Sequence, residues 1–183
     1  MGDKVKFGIK NVHIFPMLTD APTYDLVIPV PGAVSLSLNA QGEINKFYAD
    51  NIVYYQTSAN NGYDGDLEIA MIPDEVWEKI FNYVKNTDNV YTENASKNVV
   101  PFAMTFEEEG DQSGTKFVLY NCTATRPSRS FATIEETKTP TTQTISISAA
   151  PLKDGNVMAM TSADTTVKVL QEWHDEVYGY KAA

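Results

Sequence analysis

Hydrophobic and polar side chains alternate over residues 34–39, and this alternation predicts a β-strand with one buried face. The hydrophobic positions are Val34, Leu36 and Leu38. A second alternating run, over residues 67–72, predicts another strand. The stretch between the two runs, residues 47–66, is dense in aromatic and turn-forming residues, and we expect it to be a long loop.

The spacing of the hydrophobic residues becomes helical directly after residue 72. Over residues 73–84 they recur every three or four positions behind a proline and two acidic residues, which predicts a helix. Trp77, Ile80 and Phe81 are its predicted core contacts. A similar spacing over residues 164–178 predicts a C-terminal helical arm whose N-cap is Asp164.

Other alternating segments complete a mainly β pattern. Residues 99–107 and 116–125 are expected to pair as a hairpin, because turn-forming residues separate them. The other expected strands are residues 5–17, 23–30, 130–136 and 144–149, the last two forming a second hairpin. This order predicts an antiparallel β-sandwich or a partly closed barrel with one flanking α-helix. Long strands leave sheet edges that need a cover, and copies of the same chain often provide it.

The composition is that of one folded domain spanning residues 1–183. Hydrophobic residues make up 43% of the chain and charged residues 21%, so extensive disorder is not expected. The formal net charge is −10. A chain of this charge repels phosphate backbones, and no cluster of lysine and arginine offsets the average, so direct binding of nucleic acid is disfavoured.

Cys122 is the single cysteine of the chain. An intrachain disulfide is therefore excluded, and its place in an alternating segment indicates a buried structural thiol. The N-terminus lacks the apolar core of a signal peptide, and no apolar run reaches the roughly 18 residues of a membrane span. We expect a protein that is made and folded in a cytosol and has no membrane partner.

Catalytic chemistry finds little support in the sequence. The two histidines, His13 and His174, lie at opposite ends of the chain, and no G-x-S-x-G motif accompanies them. Both are expected to be structural or surface residues. No phosphate-binding loop, dinucleotide motif or zinc spacing is present either. The chain is therefore predicted not to be an enzyme and to use no cofactor.

Two acidic segments raise the question of metal binding. Asp64, Gly65 and Asp66, with Asn60 and Asn61 before them, could offer oxygen ligands to calcium, but the spacing is not that of an EF-hand. Turn formation explains these residues more simply. The acids over residues 107–111 are expected to lie solvated at a hairpin tip and to be dispensable for folding. No metal site is predicted.

The aromatic residues between the two alternating runs allow two interpretations. They fill a core, or they form a contact surface between proteins, where tyrosine supplies contact area at low entropic cost. Our hypothesis is that residues 47–66 protrude and contact neighbouring subunits. The candidate interface residues are Phe47, Tyr48, Tyr54, Tyr55, Tyr63 and Asp64.

Three consecutive stretches also carry a family resemblance. They are PGAVSLSLNAQGE, FYADNIVYY and NNGYDGDLEIAMIPDE, and an N-terminal FGIKNVH fits the same pattern. Together they resemble the major tail proteins (tail tube proteins) of long-tailed, non-contractile bacteriophages (siphophages), in the group called the phi13 family. The match is specific over roughly the first half of the chain and looser after residue 85.

The resemblance implies a structural virion protein with a tail-tube-like β-sandwich and a flanking helix. Six subunits would close into a ring, and rings would stack into the hollow tail tube through which the genome passes during ejection. Its partners would be copies of itself, the tape-measure, tail-tip and terminator proteins, and DNA as passing cargo. Such a protein is assembled in the host cytoplasm and ends in the virion tail. An acidic bore would let DNA slide instead of sticking.

Two alternatives remain open from the residues. One is a monomeric β-sandwich module that binds a carbohydrate or a host protein through exposed aromatic side chains. The other is the tube of a contractile injection system, which shares the same fold. Particle size distinguishes the binding module from either tube.

Overall fold

The computed structural model describes residues 4–19, 22–111, 114–131, 133 and 140–180, and these residues are mainly antiparallel β-structure with two short helices. The predicted mainly β class is confirmed. The helices are α1 (Asp74–Lys79) and α2 (Val167–Glu172). The strands are β1 (Lys4–Thr19), β2 (Thr23–Tyr24), β3 (Ile28–Pro29), β4 (Ala33–Gln41), β5 (Ile44–Ala49), β6 (Ile52–Ser58), β7 (Gly62–Ile69), β8 (Val84–Lys85), β9 (Tyr91–Thr92), β10 (Phe102–Asp111), β11 (Lys116–Ala124), β12 (Gln143–Ala149) and β13 (Met158–Met160).

One nine-stranded sheet forms the body of the protein. Its main path runs β2-β1-β10-β11-β12-β7-β4, while β3 pairs with β1 and β13 pairs with β11. The expected hairpin of β10 and β11 is present, with Thr105 opposite Val118. Within the described residues β4 has one hydrogen-bonded neighbour in this sheet, β7, so the sheet does not close into a barrel.

The first strand bends in its middle. Its pairing with β10 shifts register between Lys10 and His13, and Asn11 lies there with a positive φ of 54°. This bulge lets one long strand bend while both of its halves stay paired. Beyond the bulge, His13 pairs with Pro29 of β3, an edge position where the missing proline N–H does no harm.

Hydrophobic residues are buried on both faces of the sheet. The larger cluster contains Leu67, Ile69, Phe102, Met104 and Leu119 among others. The smaller cluster lies on the opposite face of β10 and β11 and contains Phe15, Tyr24, Ala103, Val118, Tyr120, Leu152, Trp173 and Val177. Cys122 is fully buried in the larger cluster, as expected. Both faces of β10 and β11 are therefore covered, the second one by the C-terminal segment.

The first helix is shorter than predicted. It ends at Lys79, because Val76 O accepts hydrogen bonds from both Ile80 N and Phe81 N, and Asn82 then takes a positive φ of 54°. The hydrophobic spacing continued over residues 80–84, but the backbone there turns and enters β8.

The predicted loop over residues 47–66 is wrong. β5 and β6 pair as a separate two-stranded hairpin, and β7 already begins at Gly62. Aromatic and β-branched residues favour strands, and Asp50 and Asn51 both adopt positive φ in a two-residue turn. This turn chemistry was not recognised in the sequence.

Two further predictions are corrected. In the described residues β12 pairs with β7 along its length and with β11 near its end, not within the expected second hairpin. Of the proposed partner strand, residues 132 and 134–136 lie outside the described residues, and residues 130, 131 and 133 are not in a strand. The C-terminal helix covers Val167–Glu172 alone, with Thr166 instead of Asp164 at its N-cap.

Candidate assembly surfaces

The β5–β6 hairpin carries an unusual number of exposed aromatic side chains. Phe47, Tyr48, Tyr54 and Tyr55 are each at least 61% exposed, and Ile52 is as exposed as Phe47. Phe47 lies opposite Tyr55 in the pairing of the two strands. Side chains alternate between the faces of a strand, so hydrophobic groups lie on both faces of the hairpin. Exposed apolar patches of this kind mark contact sites between proteins.

The hairpin lies between β4 and β7 in the chain and is tied to their ends by the backbone. Ala59 N donates to Glu43 O at 3.0 Å and Asn61 N donates to Gln41 O at 2.8 Å. These bonds join the two backbone segments that connect the hairpin to the main sheet. At Gly42 a Cβ would lie 2.1 Å from Ala59 O, so the close approach of these two backbone segments requires glycine there. The hairpin is thus anchored by backbone bonds.

A polar face accompanies the β4–β7–β12 part of the sheet. Asp64, Asp66 and Glu68 alternate along the exposed side of β7, while Gly65, Leu67 and Ile69 are buried on the other side. The facing residues on β12 are Ser148, Ser146 and Thr144, and those on β4 are Asn39, Ser37 and Ser35. A central column of carboxylates is therefore flanked by hydroxyl and amide side chains.

Hydrogen bonds hold two of the carboxylates of this polar face. Ser146 Oγ donates to Asp66 Oδ1 at 2.6 Å. Glu68 accepts from Thr142 Oγ1 at 2.6 Å and from Ser35 Oγ at 3.0 Å, and these two bonds lower its pKa. Glu68 therefore stays negatively charged at neutral pH.

Asp64, Gly65 and Asp66 form neither a turn nor a metal-binding loop. They lie within β7, and a Cβ on Gly65 would lie 1.8 Å from Ser37 O, so glycine permits the close approach of β4. The turn lies earlier, where Asn60 Oδ1 accepts from Gly62 N. Among the described residues no group of three His, Cys, Asp or Glu side chains is placed to hold a metal ion.

The free edge of β4 borders a cleft. β1 and β4 approach each other without forming a ladder and leave a space of about 610 Å³. The cleft is lined largely by apolar side chains, including Ile9, Leu36, Leu38, Phe106, Phe117 and Met158. Val34 lies outside this alternation, because the register shift between Ala33 and Ser35 leaves it 51% exposed.

The predicted interface residues fall into two groups. Phe47, Tyr48, Tyr54 and Tyr55 lie on the hairpin, whereas Tyr63 and Asp64 belong to β7 of the main sheet. Tyr63 is half-buried and Asp64 is exposed on the polar face. The tip of the hairpin is at Asp50 and Asn51, whereas residues 62–66 already belong to β7.

The three residues predicted to be core contacts of the helix differ in position and in burial. Ile80 and Phe81 are 1% exposed but follow the helix, and Val76 is the buried residue within it. Trp77 is half-buried, with its ring packed on Phe81 and the Arg129 guanidinium 4.6 Å from its centroid.

A contact between the two histidines was missed in the sequence. Their rings stack at 4.8 Å, and His174 Nδ1 lies 3.0 Å from Thr105 Oγ1. His174 Nε2 is 3.7 Å from Glu107 Oε2, beyond hydrogen-bond distance. Thr105 is fully buried, so its hydroxyl is not accessible to a substrate, and we interpret the group as structural.

The acidic segment at residues 107–111 is not uniformly solvated. Glu107 is 8% exposed, accepts a hydrogen bond from Asn11 Nδ2 at 2.9 Å and lies 3.4 Å from Lys10 Nζ. These partners outweigh burial and lower the pKa of Glu107. Glu109, by contrast, is exposed. The expectation that the whole segment lies solvated at a hairpin tip is therefore wrong at Glu107, which is a buried residue of β10.

Comparison with protein-family models and with curated proteins yields no match. Within the described part of the chain, neither helix has the length and apolar character needed to cross a membrane. The functional proposal consequently rests on the surfaces described above and on the resemblance in the sequence.

Proposed function

We propose that this protein is the tail tube subunit of a long-tailed, non-contractile bacteriophage. Copies of the chain close into six-membered rings, and the rings stack into a tube that conducts DNA during ejection. The nine-stranded sheet would then correspond to the tail-tube β-sandwich of that family. Its partners are copies of itself and the tape-measure, tail-tip and terminator proteins, and its final location is the virion tail.

The observation that carries the proposal is the polar face beside an open sheet edge. Within the described residues no strand is hydrogen-bonded to the outer side of β4, and pairing there with a strand from a neighbouring copy would continue the sheet around a ring. Repeated in each copy, the column of Asp64, Asp66 and Glu68 would form an acidic wall. Such a wall repels phosphates, and short hydroxyl side chains offer DNA no strong contacts.

The hairpin supplies the second contact of the proposed assembly. Its exposed aromatic residues suit an interface core, where tyrosine and phenylalanine bury large areas. Its backbone anchoring at Glu43 and Ala59 fixes its direction, which reduces the entropy lost when it docks. We assign the hairpin to contacts between neighbouring subunits, within a ring or between stacked rings.

Electron microscopy with a hairpin deletion tests the proposal. The wild-type protein is expected to form rings or tubes. In the deletion, residues 44–58 are replaced by Asn-Gly, which can join Glu43 to Ala59 as a two-residue turn. This variant is expected to keep the far-ultraviolet circular dichroism of a folded sheet but to remain monomeric.

A matched control removes exposed hydrophobic groups elsewhere. Val84→Ser with Met160→Ser changes two side chains that are 51% and 65% exposed, and this variant should still assemble. Wild-type protein that stays monomeric at every concentration and salt would refute the tube. It would favour the binding module, whose elution volume corresponds to a single chain.

A further inference from the structure

The C-terminal segment, residues 164–180, lies as a strap over the smaller hydrophobic cluster. Trp173 is 3% exposed and Val177 is 2% exposed, and both contribute to that cluster. Trp173 Nε1 donates to Phe117 O at 3.1 Å, and Lys116 Nζ donates to Leu170 O at 2.8 Å. Tyr180 closes the far end through a hydrogen bond to Asp154 Oδ2.

His174 occupies the middle of this strap. Its imidazole stacks on His13 of β1 and reaches Thr105 Oγ1 of β10 through Nδ1. Its side chain is 14% exposed, and Nε2 is buried without a hydrogen-bond partner among the described residues. The strap is thus held at its centre by the stacked imidazoles of His13 and His174. This stacking is most favourable when the two rings are uncharged.

Burial opposes protonation of His174, the neighbouring cations add to this effect, and Glu107 counteracts it. Glu107 of β10 lies 3.7 Å from His174. It also accepts a hydrogen bond from Asn11 and forms an ion pair with Lys10, both of β1. Lys116 of β11 and His13 add positive charge from two sides. Glu107 is therefore shared by Lys10, Lys116 and His174. The strap itself carries the acidic residues Glu172, Asp175 and Glu176 next to His174 in sequence.

We propose that the His13–His174 pair is an acid-sensitive latch of the C-terminal strap. Protonation places two like charges on stacked rings, so the strap lifts from the sheet between His174 and Tyr180. The sheet itself stays folded. Lifting uncovers the apolar face formed by Phe15, Ala103, Val118 and Tyr120. Burial and the neighbouring cations lower the pKa of His174 to about 4, which sets the acidity at which the latch opens.

Hydrogen–deuterium exchange read by mass spectrometry tests the latch on single chains and on assemblies alike. Labelling times are scaled to the intrinsic exchange rate at each pH from 7 to 4. Peptides from the strap are expected to lose protection about tenfold or more at the acid end, while peptides from β7 and β10 keep theirs. Equal loss of protection in the strap and in β10 would show global unfolding and overturn the latch.

Two variants separate charge from packing. His174→Gln keeps a polar partner for Thr105 without a titrating ring, and His13→Phe keeps the stacked ring without its second charge. Each is expected to hold the strap at pH 7 and to shift its release to lower pH or abolish it. Unchanged acid release in both variants would overturn the proposal. The proposal would also be overturned if the strap of both variants were already unprotected at pH 7. The two rings would then hold the strap by packing, independently of their charge.

Discussion

The indole nitrogen of Trp173 donates a hydrogen bond to the backbone carbonyl of Phe117, 3.1 Å away and 56 residues earlier in the chain. This bond joins the C-terminal strap to β11, and the ring itself is buried. The other tryptophan, Trp77, lies half-buried at the edge of the larger cluster. The two residues therefore differ in what a truncation removes.

Trp173→Ala is expected to lower the free energy of unfolding by about 3–5 kcal/mol, as large-to-small core substitutions do. Trp77→Ala should cost less, because part of its ring is already exposed, although it also loses ring contacts with Phe81 and Tyr83. Urea denaturation of both variants measures the difference. An equal or larger loss at Trp77 would show that α1 carries more of the core energy than its burial indicates.

Neutralising Glu107 and Glu109 should have different effects. Glu107→Gln leaves Lys10 without its partner and is expected to cost about 1–3 kcal/mol, the usual penalty at a buried polar site. Glu109→Gln, the matched control on the same strand, should change stability by no more than about 0.5 kcal/mol. Thermal unfolding of the two variants at pH 7 checks both values. Similar results for the pair would mean that the contacts of Glu107 are not stabilising.

Stability should fall as the pH is lowered from about 6.5 to about 4. The unfolded chain protonates His174 near its ordinary pKa of 6.5, whereas in the folded chain that pKa is about 4. The unfolded state therefore binds more protons in this window, and the loss amounts to at most about 3 kcal/mol. Below the ordinary carboxylate pKa of 4.5 a further loss comes from Glu107, whose folded-state pKa is lowered.

The melting temperature as a function of pH measures this titration. His174→Gln should flatten the curve above pH 4.5 and leave the steeper fall below it. A wild-type melting temperature that is constant from pH 6.5 to 4.5 would contradict the burial and charge effects assigned to His174.

Reversing the charge of the polar face tests its position in the proposed tube. Asp64→Lys, Asp66→Lys and Glu68→Lys together should give tubes that bind short duplex DNA, because lysine side chains attract phosphates. If the face lines the channel, part of that DNA should resist added nuclease. Wild-type tubes are the control and should bind none. Bound DNA that is fully digested would place the face on the outside.

Some of the fold could be predicted because the signals are local. Leu36 and Leu38 alternate with serine in β4, and Phe102, Met104 and Phe106 alternate in β10, so strand positions followed from a period of two. The length of α1 did not follow, because hydrophobic spacing continues past Lys79 while the backbone turns. Asp50 and Asn51 were a recognisable two-residue turn, but the aromatic density around them favoured a loop interpretation.

The contacts that could not be predicted are those between distant parts of the chain. Glu107 is one of several consecutive acids, and only the bend of β1 at Asn11 brings it a donor and a lysine. His13 and His174 are separated by almost the whole sequence, and their stacking depends on how the strap crosses the sheet. Such pairings have no periodic signature, so a single sequence does not reveal them.

The backbone anchoring at Gly42 and Ala59 has a mechanical consequence. Backbone hydrogen bonds tie the hairpin to the ends of β4 and β7, so a load applied at its tip would pass into these two strands. β7 carries the carboxylates of the polar face, and β4 carries the hydroxyl and amide side chains beside them. In the proposed tube, a force on a subunit contact at the hairpin would therefore reach the polar face directly.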